Sequence, residues 1–231
     1  MAGLLVASCQ SPASETRTHA AAKTQADAPG AEPSVVQAPV ADKKQTDGPP
    51  LRDDGTVFAG AEQMGTRVTV KVWVGPGQTP AQAGTTIEEA FAEIERIEDI
   101  ASEWRPHSEL SQLNGRAGQD LAPMSPDLYT ILARSKQIAA ASNGAFDPTF
   151  HGIGQLWSFA PGAQPPPRAT IEEHLKLVNW RELELVAGTP DPAVGAKGRL
   201  RQKGMKVGLG AIAKGYAVDR ASDVLKRHGF G

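Results

Sequence analysis

The sequence predicts an α+β fold in which helices pack as a layer on small sheets. Three observations carry that expectation. Residues 57–74 read as two extended pieces broken at Met64-Gly65, the second alternating with Val68, Val70 and Val72 on one face and Thr69, Lys71 and Trp73 on the other. Residues 86–103 then switch to helical spacing, with Ile87, Phe91, Ile94, Ile97 and Ala101 forming one apolar stripe among Glu and Arg. Beyond them, strands and helices do not alternate in the β-α-β rhythm that builds a doubly wound parallel sheet.

The remaining elements follow in order. Ser125-Pro126 opens a second helix, with a hydroxyl cap and proline at the first position; Leu128, Ile131, Leu132 and Ile138 line it and Gly144 ends it. Thr170-Ile171-Glu172-Glu173 reads as a capping box starting a short third helix. Strands are expected near 183–186, 199–201 and 205–209, and a last helix over 211–228.

Composition narrows the function classes. The chain has 231 residues, and Lys+Arg 24 against Asp+Glu 26 leaves a formal charge of −2. No strong field recruits nucleic acid or an acidic membrane surface. The single cysteine, Cys9, excludes an internal disulfide and a multi-cysteine metal site. No apolar run reaches the ~18 residues of a membrane span. Residues 10–50 are Ala-, Pro-, Thr- and Ser-rich without apolar period or aromatic residue, the pattern of a disordered tether. Before them, Leu4-Leu5-Val6-Ala7-Ser8-Cys9 resembles the lipobox of bacterial lipoproteins, with residues 1–9 as a clipped signal. A lipid anchor on Cys9, a flexible spacer and a folded part from residue 51 make a coherent whole. The competing reading is an Ala-rich start with a lone thiol.

Four polar patches carry chemistry: Met64-Gly65-Thr66; Trp104 within Ser102-Glu103-Trp104-Arg105, running on to Ser108-Glu109-Leu110-Ser111 and Leu113-Asn114; Gly144-Ala145-Phe146-Asp147-Pro148-Thr149, with Trp157 downstream; and Gly208-Leu209-Gly210-Ala211-Ile212-Ala213-Lys214-Gly215-Tyr216. In the last, an extended run enters two glycines and then a helix, whose unpaired N–H groups favour an anion, with Lys214 as a point charge for a phosphate. A glycine-linked strand and helix with a surface lysine is the equal alternative. Gly208, Gly210 and Ala213 also match the dinucleotide pattern G-x-G-x-x-G/A, but without a β-α-β unit around them. At the third patch, Pro148 should hold Asp147 extended, its carboxylate facing a ligand hydroxyl or ring nitrogen or closing an Asx-type turn. Trp104 either stacks on a planar ligand or closes a helix end. Arg105, His107 and Glu109 read as ordinary loop residues.

In this order, from about Gly60 onward, the patches resemble the ApbE family, the bacterial FAD:protein FMN transferases. The resemblance implies a layered sheet-and-helix fold and a periplasmic, lipid-anchored enzyme. Such an enzyme splits FAD and, with Mg²⁺, passes FMN to a Thr or Ser hydroxyl of a partner flavoprotein. Family acceptors belong to respiratory or nitrous oxide reduction complexes. It further implies FAD contacts at Met64, Trp104, Ala145, Phe146, Asp147 and Lys214, and a metal-holding backbone carbonyl at Ala211. No catalytic side chain is assigned. Two departures stand out. Gly208 replaces the family's Asp, and the fold is expected to be incomplete at its C-terminus, since the family's later acidic and Thr metal ligands and its His-Asp loop have no counterpart. The alternatives are a non-catalytic flavin-binding lipoprotein of the same fold and an NAD-type dinucleotide domain.

Overall fold

The computed structural model describes residues 49–158, 160–191, 193 and 195–230; the Cys9 lipobox and residues 10–48 of the expected tether lie outside them. Strands β1 (Thr56–Gln63) and β2 (Thr66–Trp73) form an antiparallel hairpin in which Gln63 faces Thr66. That register leaves only Met64 and Gly65 for the turn, with φ of 52° and 67°. Two successive positive φ values define a type I′ turn, whose twist matches the strands it joins. The alternation predicted for β2 is real: Val68, Val70 and Val72 are buried.

Helix α1 (Pro80–Ala101) lies across this hairpin and buries Ile87, Ala90, Ile94, Ile97 and Ala101. It begins six residues before the expected start at 86. Thr79 caps it, accepting from the Gln82 N–H, while Gln82 returns a bond to the Thr79 backbone, and Pro80 takes the first position. A second correction concerns the loop after α1, which contains a short helix, α2 (Glu109–Gly115), capped by Ser108 and burying Leu110 and Leu113. Helix α3 (Pro126–Ala141) starts with the Ser125 cap that was expected, its hydroxyl accepting from Leu128 N–H.

A 3-10 turn (Pro148–Phe150) runs into α4 (His151–Gly154). Helix α5 (Arg168–Leu175) exists, but not by the expected capping box: Pro167 holds the cap position with no side-chain bond, and Thr170 lies inside the helix. The short β3 (Ala122–Pro123) was not foreseen. It joins β4 (Leu183–Val186) and β5 (Lys197–Leu200) in an antiparallel sheet of order β3-β5-β4. Residues 205–209, expected as a strand, belong to no sheet. The Asn114 amide supplies the missing ladder, accepting from Val207 N–H at 2.8 Å and donating to Val207 O at 2.9 Å. Gly208 N–H donates to Pro148 O at 2.9 Å. Thus tethered, Met205, Val207 and Leu209 are fully buried.

Helix α6 (Ala213–Arg227) begins two residues later than expected and packs along α1. One continuous apolar cluster joins the hairpin, α1, α2, α3, the small sheet and α6. Helices packed on two small antiparallel sheets make the α+β fold predicted. Every strand pair among the described residues is antiparallel, so the dinucleotide-domain reading, which needed parallel β-α-β topology around Gly208, is dropped. No helix among them is long and apolar enough to cross a membrane.

Candidate functional site

The site is assembled from chain turns held by part-buried and exposed polar bonds. Met64 occupies the left-handed turn of the hairpin, and its N–H donates to Glu98 Oε2 on α1 at 2.9 Å. Glu98 in turn pairs with Arg105 at 3.0 Å. Arg105 is the hub of the loop after α1, reaching Glu95 at 2.7 Å and Asp99 at 2.5 Å as well. Bonds from these carboxylates push its already high pKa further up, and the Arg105 and His107 bonds hold the Asp99 carboxyl below its ordinary value. Arg105 and His107 are therefore more than ordinary loop residues; they have partners that fix the loop's shape.

Ser102 completes that shape. Its hydroxyl accepts from the N–H groups of Trp104 and Arg105, both at 3.2 Å, and its carbonyl accepts from the hydroxyls of Ser108 and Ser111. The result is a rigid backbone presenting Trp104 outward, 76% exposed. Its indole meets the His151 imidazole at right angles, centroids 5.7 Å apart. Burial pushes the His151 pKa down, with Lys206 adding to the effect and Glu103 opposing it.

At the third patch, Asn143 and Gly144 both take positive φ, and Asp147 is extended before Pro148 as expected. Its carboxylate is largely occupied. Oδ1 accepts from Thr149 N–H at 2.8 Å and Thr149 Oγ1 at 2.6 Å, and Oδ2 accepts from Trp180 N–H at 3.0 Å. A carboxylate has about four lone-pair directions, so roughly one remains for a ligand. The Asx-type reading thus describes its present bonds, and Asp147 braces the corner on which Ala145 and Phe146 sit.

These turns enclose two adjoining hollows. One, about 330 Å³, is lined by Met64, Trp104 and Lys214, with Glu98 and Arg105 behind. The other, about 430 Å³, is lined by Ala145, Phe146, Asp147 and Ala211. Both share Glu103 and Gly210. All seven residues singled out from the sequence therefore meet around one depression, although they come from four separate stretches of chain. A roomier hollow of about 600 Å³ lies between α3 and α6 and contains none of the seven; convergence of polar groups, not volume, locates the candidate site.

Among the further lining residues, Glu103, the exposed Phe150 and His151 were not singled out. Phe150 and His151 directly follow the Asp-Pro-Thr run, where the 3-10 turn passes into α4, and His151 stands against Gly208. Position 208, where the resemblance implies Asp, has no room for a side chain as folded: a Cβ there would stand 2.9 Å from His151 Cβ.

Chemically, the depression combines flat ring surfaces with one uncommitted cation. Lys214 stands on the first turn of α6, its Nζ 3.5 Å from Gly210 O, and forms no ion pair among the described residues. The N-terminus of α6 carries no side-chain cap. An anion beside a planar ring system fits such a place. A caged divalent ion does not: among the described residues no group of three or more His, Cys, Asp or Glu is arranged to hold one.

Residues 64–231 match the model of the ApbE family. The chain belongs to the ApbE family. Among curated relatives, the FAD:protein FMN transferase of Treponema pallidum is 34% identical over 169 residues, covering 71% of this chain and 45% of that protein. The enzyme of the same name from Vibrio cholerae is 30% identical over 170 residues, covering 72% of this chain and 48% of that protein. The chain thus spans about half the length of the curated relatives it matches. The solved flavin transferase ApbE of Vibrio cholerae superposes with a TM-score of 0.66 at 25% identity, covering 76% of this chain and 54% of that one. The apo flavinyl transferase ApbE of Pseudomonas stutzeri gives 0.64 at 27% identity, covering 78% and 58%. The ApbE match starts at Met64 and takes in every one of the seven residues.

Proposed function

We propose that the chain is part of an FAD:protein FMN transferase and carries its flavin-binding face. The observation that carries this reading is the convergence of Met64, Trp104, Ala145–Asp147, Ala211 and Lys214 around one depression in an ApbE-family fold. In this reading Trp104 and Phe146 bracket the flat flavin ring, and Lys214 with the α6 N-terminus neutralises the pyrophosphate. Phosphoryl transfer depends on positioning and charge neutralisation more than on covalent help, and those are the services these residues can render. The acceptor hydroxyl comes from a Thr or Ser of a partner flavoprotein, in a respiratory or nitrous oxide reduction complex.

A Mg²⁺ requirement belongs to the same proposal. The described residues do not themselves form a carboxylate or histidine site for the ion, and Ala211 could offer it only a backbone carbonyl. We also propose a periplasmic location with a lipid on Cys9. Cys9→Ser should move the protein from the membrane to the soluble fraction, and an unchanged membrane fraction would count against the anchor.

Flavin fluorescence titration tests the central reading. The folded chain should bind FAD, and Lys214→Met should weaken binding roughly tenfold, the scale of one charge-assisted phosphate contact. A folded chain that takes up no FAD would overturn it. A second reading, a flavin-binding protein of the same fold without turnover, draws support from the crowded Gly208. AMP release from FAD with Mg²⁺ and an acceptor flavoprotein, by the chain extended to its relatives' length, favours transferase; binding without release favours the second reading.

A further inference from the structure

We propose that His151 is a positioning residue of this site: seated in the space that a side chain at position 208 would need, its imidazole holds the exposed Trp104 indole edge-on at the mouth of the depression, ready for a planar ligand ring. Only the identity of the ligand rests on the flavin reading above.

The geometry points to a built pair. Trp104 is 76% exposed, yet it is braced by the His151 ring at 5.7 Å and 87°. An indole so exposed would otherwise sample several rotamers, and fixing one before binding removes that cost from the binding step. His151 itself is half-buried and lines both the hollow of Ala145–Asp147 and a neighbouring one that holds Asn114 and Lys206. Its seat depends on glycine: a Cβ at 208 would lie 2.9 Å from His151 Cβ, 3.2 Å from Cγ and 3.3 Å from Nδ1. Nor can position 208 retreat, since the Gly208 N–H is bonded to Pro148 O and Val207 is held by Asn114. Gly208, His151 and Trp104 therefore form one row, in which the missing side chain of the first makes room for the second, which orients the third. The charged groups facing the imidazole are Glu103 from the start of the loop after α1 and Lys206 from the 205–209 segment.

Two readouts test the row, one of them free of ligand. A protonated imidazole quenches a neighbouring indole more strongly than a neutral one. Tryptophan emission of the ligand-free chain should therefore fall as pH is lowered through a midpoint below the ordinary 6.5 of histidine, because burial disfavours the charged ring. The step should vanish in His151→Ala and in Trp104→Phe and persist in His107→Ala, which removes the other nearby imidazole. In FAD titrations, His151→Ala should lose about three- to tenfold in affinity, the scale of one aromatic pair, while His151→Phe, which keeps a ring there, stays near the parent. Gly208→Ala should lose affinity, and adding it to His151→Gly should cost nothing more, because only then is the colliding Cβ at 151 gone. Persistence of the emission step in His151→Ala, equal FAD affinities of His151→Ala and His151→Phe, or additive losses at 208 and 151 would overturn the proposal. A parent that shows the step but binds no FAD supports the row and overturns the flavin reading alone.

Discussion

At the scale of single residues, Asn114 carries more than its exposed-loop context in the sequence suggests. Its amide replaces a strand: both polar groups of Val207, a fully buried residue, end on this one side chain. Removing it leaves a buried N–H and a buried C=O without partners, and each such loss costs about 1–3 kcal/mol. Asn114→Ala should therefore lower unfolding free energy by about 2 kcal/mol or more in urea titrations. Asn114→Asp should cost nearly as much, since it keeps the acceptor for Val207 N–H but turns a donor into a negative oxygen against Val207 O. A loss under ~0.5 kcal/mol for Asn114→Ala would mean that water replaces the amide freely. Asp147 teaches a related lesson. From the sequence it read as a ligand group or, the commoner case for an Asp-Pro, as a turn closer, and its bonds to Thr149 and Trp180 spend most of its acceptor capacity on the turn.

At the scale of elements, what was legible was periodic or locally capped. The Val alternation of β2, the Ile stripe of α1 and the Ser125 cap of α3 each depend on neighbours within a few residues, and each is present. The misread segments depend on distant partners. Residues 205–209 look like a strand because they alternate, but both backbone bonds of Val207 go to a side chain 93 residues away in sequence. Helix α2 is too short for a periodic signal, and only the Ser108 cap marks it. The hairpin turn offers a prediction at this scale. Met64 adopts a left-handed conformation at about 1–2 kcal/mol expense for an L-residue, which Asn tolerates better. Met64→Asn should raise stability by about 0.5–1 kcal/mol in urea titrations while weakening FAD binding, because the thioether that lines the hollow is lost. Stabilisation with unchanged FAD affinity would remove Met64 from the site and leave its strain without a functional counterpart.

At the scale of the whole molecule, the site exists because α1, α3 and α6 are clamped together, and the clamp is titratable. Arg96 on α1 bonds Glu93 at 2.8 Å and Asp127 at the start of α3 at 2.8 Å, and Tyr216 on α6 donates to Asp127 at 2.6 Å. Burial raises the Asp127 pKa, but the Arg96 and Tyr216 bonds outweigh it and the net shift is downward; the Arg96 bond likewise lowers Glu93. A carboxyl lowered on folding contributes stability above its unfolded value, here 3.8 for Asp and 4.5 for Glu, and that contribution is lost as pH falls through the folded value. Tyr216 works at the other end. Burial first, then the bond to Asp127, pushes its pKa up from 10.0 to about 12. The neutral phenol is the form that folding favours, so its contribution is complete below pH 10.0 and is lost as pH rises toward about 12. Unfolding free energy measured against pH should thus fall at both the acid and the alkaline end. Tyr216→Phe should flatten the alkaline fall and, by withdrawing one bond from Asp127, raise that carboxyl's pKa and shrink its share of the acid fall. An alkaline fall that is unchanged in Tyr216→Phe would show that the Tyr216–Asp127 bond adds nothing to the packing of α6 against its neighbours.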